Sequence, residues 1–177
     1  HKMKTYLLAL DQSTQITGYA LFNRTTQELV AFGHISPKDN DYVTRIVKLC
    51  EWLENILDLY KNDVEVVIED IQLQEYEPNG NKKRAKEFGV ITFKKLAHVQ
   101  GALLTVVKRR NLPYDIISSS SWKSTCGIKG RIRDEQKANA KRFAETTYQV
   151  NLIQDEADAI CIGYHCLHLK NNDCAWA

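Results

Sequence analysis

Apolar residues follow two rhythms along this chain, and the alternation between them outlines the fold. Lys4 to Leu10 carries the apolar run TYLLAL and ends at Asp11. Thr17 to Phe22 and Glu28 to Phe32 follow, separated by the turn-forming Asn23-Arg24-Thr25-Thr26. Three short runs joined by tight connections predict an antiparallel meander. From 41 to 61 the rhythm lengthens: Val43, Ile46, Val47, Cys50, Leu53, Leu57 and Tyr60 recur every three or four residues, which predicts a helix with one buried stripe. Val64 to Ile68 (VEVVI) is β-branched and nearly continuously apolar, the pattern of a central strand covered on both faces, and it also ends in acids, Glu69 and Asp70.

A polar stretch through Pro78, Asn79 and Gly80 breaks the chain before a long helical pattern from Lys82 to Arg110, ended by Pro113. Tyr114 to Ile117 reads as a fifth strand, and Ser118 to Ser121 can cap a short helix around Trp122. A basic loop with glycines, GIKGRIR at 127–133, precedes a helix that Asp134 can cap and that reaches about Thr146. A last helix is expected from Asp155 to Leu169. The predicted class is α/β: a mixed five-stranded sheet flanked by helices, three strands first and then helices alternating with strands.

Composition narrows the class. With 177 residues, 44% of them hydrophobic, the chain suits one domain over 1–177. No run approaches the roughly 18 to 20 uninterrupted apolar residues of a membrane helix, the start lacks a signal-peptide layout, and no membrane association is expected. His1 and Lys2, before Met3, read as remnants of expression. Cys50, Cys126, Cys161, Cys166 and Cys174 are odd in number and form no closely spaced pairs, so reduced thiols and a cytoplasmic location are expected, with Cys50 and Cys161 as small buried apolar residues.

Charge is unevenly spread. Residues 79–142 hold sixteen Lys or Arg against four Asp or Glu, giving +12 and leaving −10 for the rest of a +2 chain. Such a segment supplies phosphate contacts to nucleic acid, although a solvated helix face has the same composition.

Several acids outside that segment sit in apolar surroundings, where charge is costly. Asp11 and Glu69 both stand where a core strand meets its loop, the sheet edge that carries binding groups in α/β folds. Asp155 and Asp158, three residues apart at a helix start, project within about 60° of each other. Carboxylates gathered in a partly desolvated place repel unless protons or cations neutralise them, and hard divalent cations with oxygen ligands meet that need. Two such ions can drive phosphodiester hydrolysis. Taken singly, each acid has a plainer use: a helix cap, a first-turn charge, a turn residue, a strand-end ion pair.

The segments LLALDQSTQITGYALF, VVIEDIQ and DEADAICIGYHC resemble the three acid-bearing segments of the RuvC family of Holliday junction resolvases, in order and over nearly the whole chain. The resemblance implies an RNase H-like (retroviral integrase superfamily) fold and a homodimer. It also implies nicking of opposed DNA strands at four-way junctions, in recombination and repair, with two Mg²⁺ ions per site and Mn²⁺ as a substitute. It assigns metal binding to Asp11, Glu69, Asp155 and Asp158, and places Lys123 and Lys137 where the family has active-site lysines. The helix from Lys82 to Arg110 is similar to the family's dimer helix.

Two positions depart from the family. Gln12-Ser13-Thr14 replaces a proline and glycine after the first acid, and Gln72 stands where a base-stacking phenylalanine is expected, with Tyr76 or Phe88 as candidate substitutes. The chain looks more similar to the phage-encoded branch, for which cleavage of forks and flaps is also expected. Two rival classes remain: an actin-like phosphate- or ATP-binding domain, suggested by Asp11 to Gly18, and a junction-binding protein without chemistry.

Overall fold

In a computed structural model, residues 3–73 and 82–169 are described, with the side chains of the 82–169 stretch described from Gly89 onward. Five strands form one sheet: β1 (Tyr6–Asp11), β2 (Thr17–Asn23), β3 (Leu29–Ile35), β4 (Val64–Glu69) and β5 (Tyr114–Ile117), in the order β3-β2-β1-β4-β5. β1, β2 and β3 pair antiparallel, and β4 joins β1 in parallel, as does β5 with β4. The meander and the mixed sheet expected from the sequence are both present.

The continuous apolar run of β1 is explained by its central place, because successive side chains of a strand point to opposite faces and both faces are covered. Leu7 and Ala9 enter a core shared with Ala20, Phe22 and Val67. Leu8 and Leu10 enter the other, with Leu21, Val66 and Ile68. The helix α1 (Tyr42–Leu59), capped by Asp41 through the amides of Val43 and Thr44, lays Ile46, Leu49, Leu53 and Leu57 on this second face. Beside it runs α2 (Lys82–Arg109), which packs through Val99, Leu103 and Val107. Each fully buried aliphatic side chain contributes about 1.5–3 kcal/mol relative to exposure, so both faces are firmly held.

The first face is covered by three helices: α3 (Ser119–Cys126), α4 (Arg133–Tyr148) and α5 (Gln154–His168). Ser118 caps α3 by accepting from the Ser121 amide at 3.2 Å, and Gly127, at φ +67°, ends it in the left-handed region. α4 starts two residues earlier than expected, after Ile132, so Asp134 is a first-turn charge and not its cap. Likewise α5 starts after Ile153, and Asp155 lies inside its first turn. There the Glu156 Oε1 accepts from the Ile153 amide at 3.0 Å, the reach-back half of a capping box.

Gly89–Arg109 is long and apolar enough, by length and composition alone, to cross a bilayer. The count of uninterrupted apolar residues overlooked it because Lys94 and Lys95 break the run. Within it, Val90 and Ile91 are exposed while Val99, Leu103 and Val107 face the sheet. Cys126 and Cys161 are buried as free thiols and Cys50 is half-buried, whereas Cys174 lies outside the described residues.

Candidate active site: a carboxylate cleft at the strand ends

The four acids come together because the topology brings three element ends to one place. Parallel pairing of β1 with β4 sets Leu10 opposite Ile68, so Asp11 and Glu69 leave the sheet side by side. On the other side of β1, Asp11 is paired with Gly18, and Gly18 in turn with His34. The first turn of α5 rests on this row. A Cβ built on Gly18 would stand 2.0 Å from the Asp155 carbonyl oxygen, so glycine is what lets α5 come close enough for Asp155 and Asp158 to reach the strand ends.

The result is a cleft of about 580 Å³ lined by Asp11, Glu69, Asp155 and Asp158. Lys123 of α3 and Arg133 and Lys137 of α4 line the same cleft. Lys123 follows Trp122, whose indole is buried, and its ammonium lies 5.5 Å from the indole ring centre.

Burial pushes the Asp11 carboxyl well above its usual range, and the nearby charges of Glu69, Asp158 and Asp155 push it further. Glu69 is also raised by burial, opposed by its hydrogen bond with Asp11, by Trp122, and by Lys123 and Arg133. The hydrogen bond between them raises Asp11 and lowers Glu69, so the protonation of one depends on the other. The Trp122 N–H favours the charged form of Glu69 without forming a well-made hydrogen bond, since its Nε1 has no partner among the described residues. Asp158 is pushed up to about 7, by burial first; Glu69 and Asp155 add to the rise, while the 2.9 Å hydrogen bond from Gln154 Nε2 and the charge of Lys137 oppose it. Asp155 is raised by burial and eased by Lys137 and His34.

Among the described residues, no three His, Cys, Asp or Glu side chains stand as a ready-made metal cage. In its place the cluster is closed by the Asp11–Glu69 hydrogen bond and by the Gln154 amide on Asp158. Four hard oxygen donors whose proton affinity is raised chiefly by burial nevertheless fit a divalent cation, which neutralises them as protons do.

No family model matches this chain. A curated relative, the crossover junction endodeoxyribonuclease RuvC of Rickettsia conorii, is 24% identical over 168 residues, 93% of this chain and 98% of the relative. The solved structure of T. thermophilus RuvC in complex with Holliday junction substrate matches with a TM-score of 0.68 at 12% identity, covering 91% of each chain. The fold is the RuvC fold. A further Thermus thermophilus RuvC structure matches with a TM-score of 0.64 at 11% identity, over 90% of this chain and 92% of the other. The yeast mitochondrial Holliday junction resolvase Ydc2 matches at 0.52 and 16% identity, over 94% of this chain and 79% of its own. The RNase H-like sheet expected from the sequence is thereby found.

Within this RuvC fold, all six residues singled out from sequence line one cleft. Sequence reasoning missed Gln12, Arg133 and Gln154, which also line it, and the pair His34–Glu156 behind it, 3.1 Å apart. Arg133 carried a signal, as the last residue of the basic loop; Gln12 and Gln154 carried none beyond adjacency to an acid. Gln72 lies at the cleft rim, where its Nε2 donates to the Ser119 hydroxyl at 3.2 Å. Of its candidate aromatic substitutes, Tyr76 and the side chain of Phe88 lie outside the described residues.

Proposed function

We propose that this chain is a RuvC-type, structure-selective endonuclease that nicks DNA at Holliday junctions, and at forks and flaps as well, with divalent cations held by Asp11, Glu69, Asp155 and Asp158. The observation that carries this reading is the cleft itself: four carboxylates with raised proton affinity and three cationic side chains line one cavity of about 580 Å³.

Mg²⁺ or Mn²⁺, two ions per site, would supply Lewis acidity and an activated water. The protein's own groups do the remainder. Lys123, Arg133 and Lys137 neutralise the scissile phosphate and the charge that develops on it. Beyond the cleft, the basic segment through α4 grips the backbone of the DNA arms without reading sequence. Gln72, presenting an amide where stacking is expected, supports the broader substrate range and the likeness to the phage-encoded branch.

The homodimer belongs to the same proposal, with the exposed Val90 and Ile91 of α2 on the shared face. Reduced buried thiols accord with a cytoplasmic protein free of any membrane. The test is a cleavage panel of labelled four-way junctions, forks, flaps and plain duplex with Mg²⁺, Mn²⁺ or chelator. Paired nicks at junctions that vanish with chelator are expected; binding without nicks in any metal would leave a non-catalytic junction binder.

A further inference from the structure

Gln12 is an amide in a wall of acids. It directly follows Asp11, lines the cleft, and keeps only 7% of its surface exposed. Its Nε2 donates to the Glu69 carbonyl oxygen at 3.3 Å, so the side chain spans from the end of β1 to the end of β4. That bond also settles the orientation of the amide. Oε1 is then turned away from Glu69, buried, with no hydrogen-bond partner among the described residues.

A buried acceptor without a donor is costly, and protein interiors rarely keep one without use. Its neighbours Asp11 and Glu69 are acceptors themselves, which makes the position worse unless a donor enters the cleft. The hydration shell of a hard divalent cation is such a donor, because its waters are polarised and direct their hydrogens outward. Mg²⁺ in particular retains several waters when protein carboxylates bind it. Partners that hold a metal site from outside its direct ligands weaken metal binding when removed.

We infer that Gln12 is a further residue of the cation site: its Nε2 ties the two acid-bearing strand ends together, and its Oε1 accepts a hydrogen bond from the hydration shell of a cation bound there. This deepens the reading above and rests on it. Gln12 is thus a positioning residue that stands outside the four carboxylate ligands.

The experiment is a Mn²⁺ titration followed by electron paramagnetic resonance, without DNA, on the full chain and on Gln12→Met, Gln12→Asn and Asp11→Asn, with melting temperatures of each in EDTA. Methionine keeps the length and packing but neither amide function; asparagine keeps the amide on a stem too short to reach. Both Gln12 variants are expected to weaken Mn²⁺ binding by roughly ten-fold or more. Their melting temperatures in EDTA should fall by about 4 °C at most, since one hydrogen bond is lost, and their junction cleavage should recover towards the wild-type rate at saturating Mn²⁺. Unchanged Mn²⁺ affinity in either folded variant overturns the inference. So does a fall in melting temperature in EDTA well beyond the loss of one hydrogen bond, since that marks a structural prop. If the wild type binds Mn²⁺ no better than Asp11→Asn, the carboxylate cation site fails and takes this inference with it.

Discussion

Replacing Gly18 by alanine adds one methyl group at the point where α5 meets the sheet, and it should cost far more activity than stability. The new Cβ would lie 2.0 Å from the Asp155 carbonyl oxygen, 2.3 Å from its carbon and 2.9 Å from the Glu156 nitrogen. Ordinary contact begins at 3.4 Å, so the helix start must retreat by about 1.4 Å. β2 cannot yield instead, because Gly18 is paired with Asp11 on one side and His34 on the other. Overpacking of this kind costs about 1–3 kcal/mol, which for a chain of this length lowers the melting temperature by roughly 2–12 °C. Asp155 and Asp158 move with the helix, and a displacement near 1 Å at a reacting centre costs about 10²-fold in rate. Junction cleavage under single-turnover conditions, paired with calorimetry and with junction affinity in Ca²⁺, checks each part. Cleavage within about three-fold of wild type, against the ~10²-fold expected, would show that α5 does not set the spacing of the acids.

Asp11→Asn should abolish cleavage while leaving junction affinity largely intact, because binding comes from phosphate contacts; equal loss of both, read by gel assays, would merge the two roles. In EDTA the same variant should melt higher than wild type, since it removes a buried charge from a repelling cluster. Asp158 binds its proton more tightly in the folded chain than in the unfolded one, pushed up to about 7 from an ordinary 3.8, so its contribution is fully present below pH ~4 and is lost as pH rises through 7. Calorimetry in EDTA should therefore show stability declining between pH 4 and 7, and Mg²⁺ should flatten that decline; a rise over the same range would contradict the burial argument. Lys123→Met and Lys137→Met should each slow the single-turnover rate by about 10²-fold with little loss of junction binding, as expected for groups that stabilise developing charge. A rate unchanged in both would make them ordinary surface lysines.

The sheet was legible in the sequence because its central strands are covered on both faces: TYLLAL and VEVVI can be little else when both ends run into acids. The convergence of Asp11 with Glu69 was legible for the same reason, given parallel neighbours. What the residues alone did not display was proximity across the antiparallel meander. Nothing in the run of 17 to 22 marks Gly18 as the contact for Asp155, because that contact depends on where a helix more than 130 positions later comes to rest. Helix starts were misjudged by one or two residues where a plausible acidic cap, Asp134 or Asp155, proved to sit inside the first turn, while backbone geometry placed the boundary at Ile132 and Ile153. Gln12 was read only as a departure in a turn. Its use as a strap between strand ends becomes visible only when β4 lies beside β1.

The arrangement of β1 and α5 has a consequence for how such a chain is made. Asp11 belongs to β1 and Asp158 to α5, which follows every strand of the sheet in the chain, and α5 seats directly on β1 and β2. A growing chain that has finished its sheet still lacks two of the four acids, so the proposed cation site cannot assemble on it. On the proposed function, a product truncated before α5 would carry basic charge without a complete cation site.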